Sequence, residues 1–201
     1  MTSALDRAIK LWQNDQDSEA IEVLGTDALI NNAEANLLIG QIYIGAERGV
    51  SNIKRDIKKG IEFLNKSMSL GNSEAALELA RLYYFGNGVK QNHKSAEQYW
   101  TRSYELGNEL AGFELANYYF DDCQEKIEIS IEIYKDLIRR NEFKGNCFSK
   151  LSKIYASGLG PISRDEQLSL TLYGTRCIGR AHSLLHEPRP EILSRRWSNA
   201  R

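Results

Sequence analysis

Two histidines near the C-terminus are the first residues whose spacing suggests chemistry. His182 and His186 stand four residues apart, which would place both imidazoles on one helix face, with Cys177 or Glu187 nearby. A zinc site needs three or four converging ligands, and here the third belongs to no motif in a segment interrupted by Pro188. We therefore expect an ordinary helix end, no bound metal and no cofactor.

A run of carboxylates in the middle of the chain could serve in acid–base chemistry. Asp121 and Asp122 are followed by Glu125 and Glu128, but no histidine or second acidic pair recurs beside them. General acid–base catalysis needs groups with matched pKa values held within reach of the substrate, and the sequence offers no such set. A solvated acidic turn is expected, with electrostatic docking of a partner as the alternative.

The cysteines and the glycine-rich turn do not indicate catalysis either. Cys147 occupies the small-residue position of a helical pattern, which favours a packed, inert thiol, and Cys123 has no base partner that can be named. The sequence Gly86-Asn87-Gly88 follows no predicted strand, so it is not expected to cradle phosphate. We predict no catalytic residues and conclude that the protein is not an enzyme.

The composition indicates a folded protein that lies outside the membrane. The chain has 201 residues, 42% of them hydrophobic, and 26 basic against 27 acidic residues. This excludes intrinsic disorder and gives no global electrostatic reason to expect nucleic acid as a partner. The longest charge-free apolar stretch, residues 36–46, is too short to span a bilayer, and the N-terminus does not resemble a signal peptide. With only three, widely spaced cysteines, a cytoplasmic location is expected.

Four segments of the chain repeat one helical pattern, which determines the expected fold. Each carries a small, an apolar, a small and an aromatic residue at positions i, i+4, i+5 and i+8, on one helix face. A turn and a second amphipathic helix follow each of them. The four sets are Ala35, Ile39, Gly40 and Tyr43; Ala75, Leu79, Ala80 and Tyr83; Ala111, Leu115, Ala116 and Tyr119; and Cys147, Leu151, Ser152 and Tyr155.

Because no single unit can bury its apolar face alone, the units are expected to stack. The predicted fold is an all-α, right-handed α-solenoid of antiparallel helix pairs, with about four repeats and an N-terminal capping pair. We assign residues 1–31 to the capping pair, 32–185 to the repeats and 186–201 to a basic C-terminal tail, which contains Trp197.

The repeated pattern resembles the Sel1-like repeat, a relative of the tetratricopeptide repeat. The family pattern is A-x3-L-G-x2-Y-x2-G-x-G-V, then a K-A-x2-W segment and a closing glycine. The unit that begins at Ala75 fits it best, with Ala80 in place of the glycine. The matching residues are Ala75, Leu79, Tyr83, Gly86, Gly88, Val89, Lys94, Ala96, Trp100 and Gly107. The unit that begins at Ala111 has lost its turn glycines.

The resemblance implies a protein that binds another protein in the groove lined by its first helices. Aromatic residues Tyr84, Phe113 and Phe120 are expected to form an anchor strip there, with packing between repeats as the alternative. The groove residues implied for this chain are Leu77, Arg81, Tyr84, Phe113, Asn117, Phe120, Asp121 and Lys153.

The leading functional prediction is a bacterial cytoplasmic immunity protein, or a similar regulator, that neutralises one toxin or effector. The alternative is a scaffold or adaptor that recruits several partners. Residues 1–35 carry seven acidic and two basic residues, whereas residues 180–201 carry five basic and two acidic ones, so the ends could steer an oppositely charged partner. Nucleic-acid binding would depend on Arg195, Arg196 and Trp197 and is not expected.

Overall fold

The computed structural model describes residues 3–25, 31–45 and 53–178, the last four of these by backbone only. It confirms the predicted all-α class, since the described residues contain ten α-helices, one 3-10 turn and no β-strand. The helices are α1 (Ala4–Gln13), α2 (Asp17–Leu24), α3 (Ala33–Gly45), α4 (Ile57–Ser69), α5 (Ser73–Phe85), α6 (His93–Glu105), α7 (Glu109–Asp121), α8 (Ile127–Arg139), α9 (Lys144–Ser157) and α10 (Glu166–Ile178).

Each predicted repeat contains two consecutive helices, and two more precede the first repeat. Helices α3 and α4, α5 and α6, α7 and α8, and α9 and α10 lie in the four repeated segments in that order. Helices α1 and α2 pack on α3 through a shared apolar core, in which Ala8, Leu24 and Ile39 are buried. This contact covers one side of α3, as expected of a capping pair.

Asparagines that the pattern did not single out begin three of the first helices. The side chains of Asn32, Asn72 and Asn108 accept a hydrogen bond from the backbone N–H three residues later, at 2.9, 3.0 and 3.1 Å. That N–H belongs in each case to the small residue that opens the repeat pattern. These N-caps satisfy donors that a helix start leaves without an intrahelical partner.

The aromatic residue of the pattern also fixes the start of the second helix through its backbone. The carbonyl oxygens of Tyr43 and Tyr83 accept hydrogen bonds from the N–H groups of Asp56 and Asn92, at 3.0 and 2.9 Å. Asp56 and Asn92 are the N-caps of α4 and α6. Tyr155 accepts the equivalent bond in the last repeat at 2.8 Å. In the first, second and last repeats, one bond therefore ties the end of the first helix to the start of the second.

Small residues allow close helix approach, as the repeat pattern predicts. A Cβ added at Gly40 would lie 2.7 Å from Leu64 Cδ2 and 3.1 Å from the carbonyl oxygen of Gly60, so α3 and α4 touch through their backbones there. At the equivalent position Ala80 is fully buried. The C-cap glycine Gly86 has a φ of 71°, the left-handed conformation expected where the first helix ends.

The chain divides into two compact units, Met1–Tyr118 and Tyr119–Arg201. No helix among the described residues is long and apolar enough to cross a membrane. The division into residues 1–31, 32–185 and 186–201 stays a prediction, because residues 186–201 lie outside the described part of the chain.

Candidate protein-binding surface

The candidate metal ligands of the sequence do not form a metal centre within the described residues. Those residues contain no group of three histidine, cysteine or acidic side chains placed to hold a metal ion. His182 and His186 lie outside the described residues. Cys147 is fully buried, and burial raises the pKa of its thiol to about 12, which confirms the prediction of a packed thiol. Cys123 is half-buried and, like Cys147, is a free thiol.

The acidic turn after α7 is exposed, and the glycine-rich turn reverses the chain after α5. Asp121 is exposed and forms an ion pair with Lys150 Nζ at 3.1 Å, and Asp122, Glu125 and Glu128 are exposed. Gly86-Asn87-Gly88 forms the turn after α5, where positive φ angles at both glycines reverse the chain.

The predicted groove residues differ in their accessibility. Leu77 is fully buried, so its assignment to an accessible groove is corrected: it lies on the packing side of α5. Asp121 and Lys153 are exposed. The half-buried members of the set are Arg81, Tyr84, Phe113, Asn117 and Phe120.

Tyr84 is surrounded by aromatic rings of its own unit. Its ring centroid lies 5.0 Å from Trp100, 5.2 Å from His93 and 6.0 Å from Tyr118. The sequence left open whether this aromatic faces a partner or packs between helices, and these contacts show it packed against α6 and α7. Phe120, in the second unit, lies beneath Lys150 Nζ, which is 4.4 Å from its ring centroid.

Arg81 is held by an ion-pair network that joins neighbouring repeats of the first unit. Its Nη2 donates to Glu114 Oε1 at 2.5 Å, and its Nε lies 3.1 Å from the same oxygen. Trp100 Nε1 donates to the other carboxylate oxygen at 2.9 Å. Glu78 Oε1 is 3.5 Å from Arg81 Nη1. The network fixes the guanidinium at the surface of α5, and the hydrogen bond from Arg81 to Glu114 raises the pKa of Arg81.

A pocket of about 620 Å³ lies beside this network, entirely within the first unit. We call it the α5 pocket, and its lining residues are Ile44, Arg55, Glu78, Arg81, Leu82, Phe85, Gly86, Asn87 and Gly88. Its size falls within the range of about 300–1,000 Å³ that is usual for ligand sites. Arg55 is oriented by a hydrogen bond from its Nε to the carbonyl oxygen of Ile44 at 3.1 Å. Burial raises the pKa of Glu78, and the nearby Arg81 only partly opposes that effect.

Phe85 is the surface residue that the sequence interpretation missed. It is 63% exposed and lines the α5 pocket, whereas the neighbouring Tyr84 is packed inside the aromatic cluster. Glu78, Arg81 and Phe85 follow one another at spacings of three and four residues, so they share a helix face. A helical wheel centred on Arg81 would have selected Phe85 from this spacing.

A family model matches most of the repeated segments. The family described as "Sel1 repeat" matches residues 33–72, 73–108 and 149–174, just over half of the chain. Residues 109–148 are not matched, and this is where the turn glycines are missing, yet α7 and α8 form there. A search of curated protein sequences returned no match.

Solved structures of repeat proteins are similar in fold. A Sel1 repeat protein from Oxalobacter formigenes shares 16% identity over 98% of this chain and 96% of its own, with a TM-score of 0.52. c5321, a protective antigen present in uropathogenic Escherichia coli strains and displaying an SLR fold, shares 14% identity with a TM-score of 0.68. That match covers 96% of this chain but only 44% of c5321. The immunity protein Pa5087 from Pseudomonas aeruginosa shares 16% identity over 85% of this chain and 82% of its own. Its TM-score of 0.39 is too low to support an inference.

Proposed function

The chain belongs to the Sel1 repeat family, and from this premise we propose that it is a non-catalytic module that binds one partner protein through the α5 pocket. The observation that carries the proposal is the exposure of Phe85 at this pocket. A large aromatic side chain gains about 1.5–3 kcal/mol when it is fully buried, so its exposure beside a concave surface favours a binding role.

The surroundings of Phe85 also suit an interface centre. Interface hot spots are enriched in aromatic residues and arginine, held in position before the partner arrives. Arg81 is fixed by Glu114, and Arg55 by the carbonyl oxygen of Ile44, so neither guanidinium needs extensive reordering on binding. Phe113, Asn117, Phe120, Asp121 and Lys153 remain proposed contact residues from the sequence pattern, each to be tested by its own substitution.

The finer form of the proposal is that the partner is a toxin or effector and that this chain is its cytoplasmic immunity protein. Support comes from the resemblance stated above and from Cys123 and Cys147, whose free thiols suit a reducing compartment. Co-expression with a toxin encoded beside its gene should restore growth, and continued growth arrest at equal expression would contradict this form. Fractionation of the host cell tests the location.

The binding proposal is tested by cross-linking in the organism that encodes the chain, followed by titration of the recovered partner. Phe85→Ala should weaken binding by at least about thirtyfold, the loss expected of a hot-spot residue. Leu70→Ala is the matched control, because Leu70 is another exposed apolar residue of the same unit, at 42% exposure, outside the pocket. Equal affinities for both variants would move the interface elsewhere, and several weak partners would favour a scaffold.

A further inference from the structure

Two loops that border the α5 pocket bring basic side chains together. The first loop and the start of α4, residues 53–60, contain Lys54, Arg55, Lys58 and Lys59. The second loop and the start of α6, residues 86–95, contain Lys90 and Lys94. Across both segments the single carboxylate is Asp56, whose side chain accepts a hydrogen bond from the Lys59 N–H at 3.0 Å.

These two loops are neighbours in space as well as neighbours of the pocket. A Cβ added at Gly88 would lie 2.8 Å from Ile57 Cγ1 and 3.4 Å from Arg55 Nη2, so the second loop packs directly on the first. Arg55 lines the pocket from the first loop, and Gly86, Asn87 and Gly88 line it from the second. The basic residues are therefore attached to the segments that form the pocket wall.

The exposed lysines make this surface positively charged. Lys54, Lys58, Lys90 and Lys94 are all exposed, and each lies within a few residues of a residue that lines the pocket. Among the residues that line the pocket, Arg55 and Arg81 are basic and Glu78 is acidic. Arg81 is already paired with Glu114, so the exposed lysines of the two loops supply the positive charge of this surface. The chain has a net charge of only -1, so the basic surface is a local feature.

We propose that the α5 pocket and its basic loops bind an acidic segment of the partner protein, with one apolar side chain of that segment against Phe85. The proposal rests on the binding function proposed above and adds the chemistry of the partner. Carboxylates of the segment would face the lysines of both loops, where charge complementarity sets the encounter rate and the register. Phe85, at 63% exposure, supplies the apolar contact that a purely electrostatic site lacks.

A protein segment fits this surface better than a nucleic acid does. The pocket of about 620 Å³ is concave, and its walls include Ile44, Leu82 and Phe85, which suits one inserted side chain. A nucleic-acid surface combines a basic groove along the backbone with several stacking aromatic rings. Here only one exposed ring, that of Phe85, is among the residues that line the pocket.

The test uses the full chain and a phage-displayed library of random dodecapeptides. Selection should enrich peptides with net negative charge around one apolar residue. Their affinity should fall by about tenfold or more with Lys54→Glu or Lys90→Glu, and similarly with Phe85→Ala. Lys10→Glu is the matched control, because Lys10 is an exposed lysine of α1 outside both loops. The double variant of Lys54 and Lys90, Lys54→Glu with Lys90→Glu, leaves the two segments almost neutral and should abolish the preference for acidic peptides.

Three outcomes of the peptide selection would overturn the inference. They are the absence of any enriched peptide, enrichment without a charge preference, and equal effects of Lys10→Glu and the loop variants. A single-stranded oligonucleotide of equal charge that binds more tightly than the selected peptides, with no effect of Phe85→Ala, would assign the surface to nucleic acid. If the native partner depends on Phe85 but not on Lys54 or Lys90, the binding function stands and this inference fails. Independence from all three residues contradicts both.

Discussion

The ion pair between Arg81 and Glu114 should contribute more to stability than an ordinary surface pair. The two side chains are 33% and 24% exposed, and the arginine contacts the carboxylate through two nitrogens. At an effective dielectric constant of about 20, two unit charges about 3 Å apart attract by about 5 kcal/mol. Desolvation, side-chain ordering and solvent screening of these partly exposed groups offset most of this, leaving about 1.5 kcal/mol of coupling.

A double-mutant cycle measures this coupling directly. Arg81→Met, Glu114→Gln and the double variant are unfolded in urea and followed by far-UV circular dichroism, and the coupling is the non-additive part of the free energy of unfolding. Glutamine keeps an oxygen that can accept the Trp100 hydrogen bond, so the cycle isolates the charge interaction. Salt at high concentration should reduce the coupling only in part, because the groups are half-buried.

The matched control is the ion pair between Arg102 and Glu105 on α6. It is formed by residues three positions apart whose side chains are 52% and 38% exposed, so its coupling should be about 0.3 kcal/mol. A value for Arg81 and Glu114 no larger than that of the control would refute the claim that this pair fixes the guanidinium. The preformed state of the α5 pocket would then need another explanation.

Three further predictions follow from burial and close packing. Gly40→Ala should lower the free energy of unfolding by about 1–3 kcal/mol, because its Cβ would meet Leu64. Gly45→Ala should not, since no atom of the described residues lies within 4 Å of its Cβ; urea unfolding checks both. Cys123 should react with a thiol reagent far faster than the buried Cys147, and peptide mapping by mass spectrometry measures both rates. Equal rates would contradict the packing of α9, which contains Cys147. Folding raises the pKa of Glu78, so ionisation of this carboxyl lowers the stability of the folded protein. Replacement by glutamine should therefore raise the urea midpoint more at pH 7 than at pH 4. An opposite trend would contradict the burial of this carboxyl.

The sequence was sufficient to predict the helices of each repeat and their order along the chain. The pattern that begins at Ala75 predicts α5, and the same pattern holds at Ala111, although the turn glycines are missing there. This works because the residues concerned pack against neighbours only one helix away, so their size is constrained locally. The asparagine N-caps, such as Asn72, could also have been predicted, since capping depends on residues three positions apart.

The binding surface, by contrast, could be predicted only in part. Arg81 lies at the surface of α5, and its role in binding stays a prediction. Leu77 is buried, Tyr84 is packed against Trp100, and the exposed Phe85 was not among the predicted groove residues. Periodicity assigns residues to a helix face, and the spacing from Arg81 could have identified Phe85. The burial of Leu77 and Tyr84 depends on what the neighbouring helices cover, which periodicity within one helix does not predict.

The juxtaposition of segments that are distant in the sequence depends on the packing of the helices. Glu114 lies 33 residues from Arg81 and accepts hydrogen bonds from both Arg81 and Trp100. The spacing of these residues in the sequence does not predict that they meet. The contact of Gly88 with Arg55 likewise brings two basic loops together beside one pocket. The sequence determines which helices form, because helix formation and capping are local. Their packing determines the site, because exposure and charge at a surface depend on what each neighbour covers.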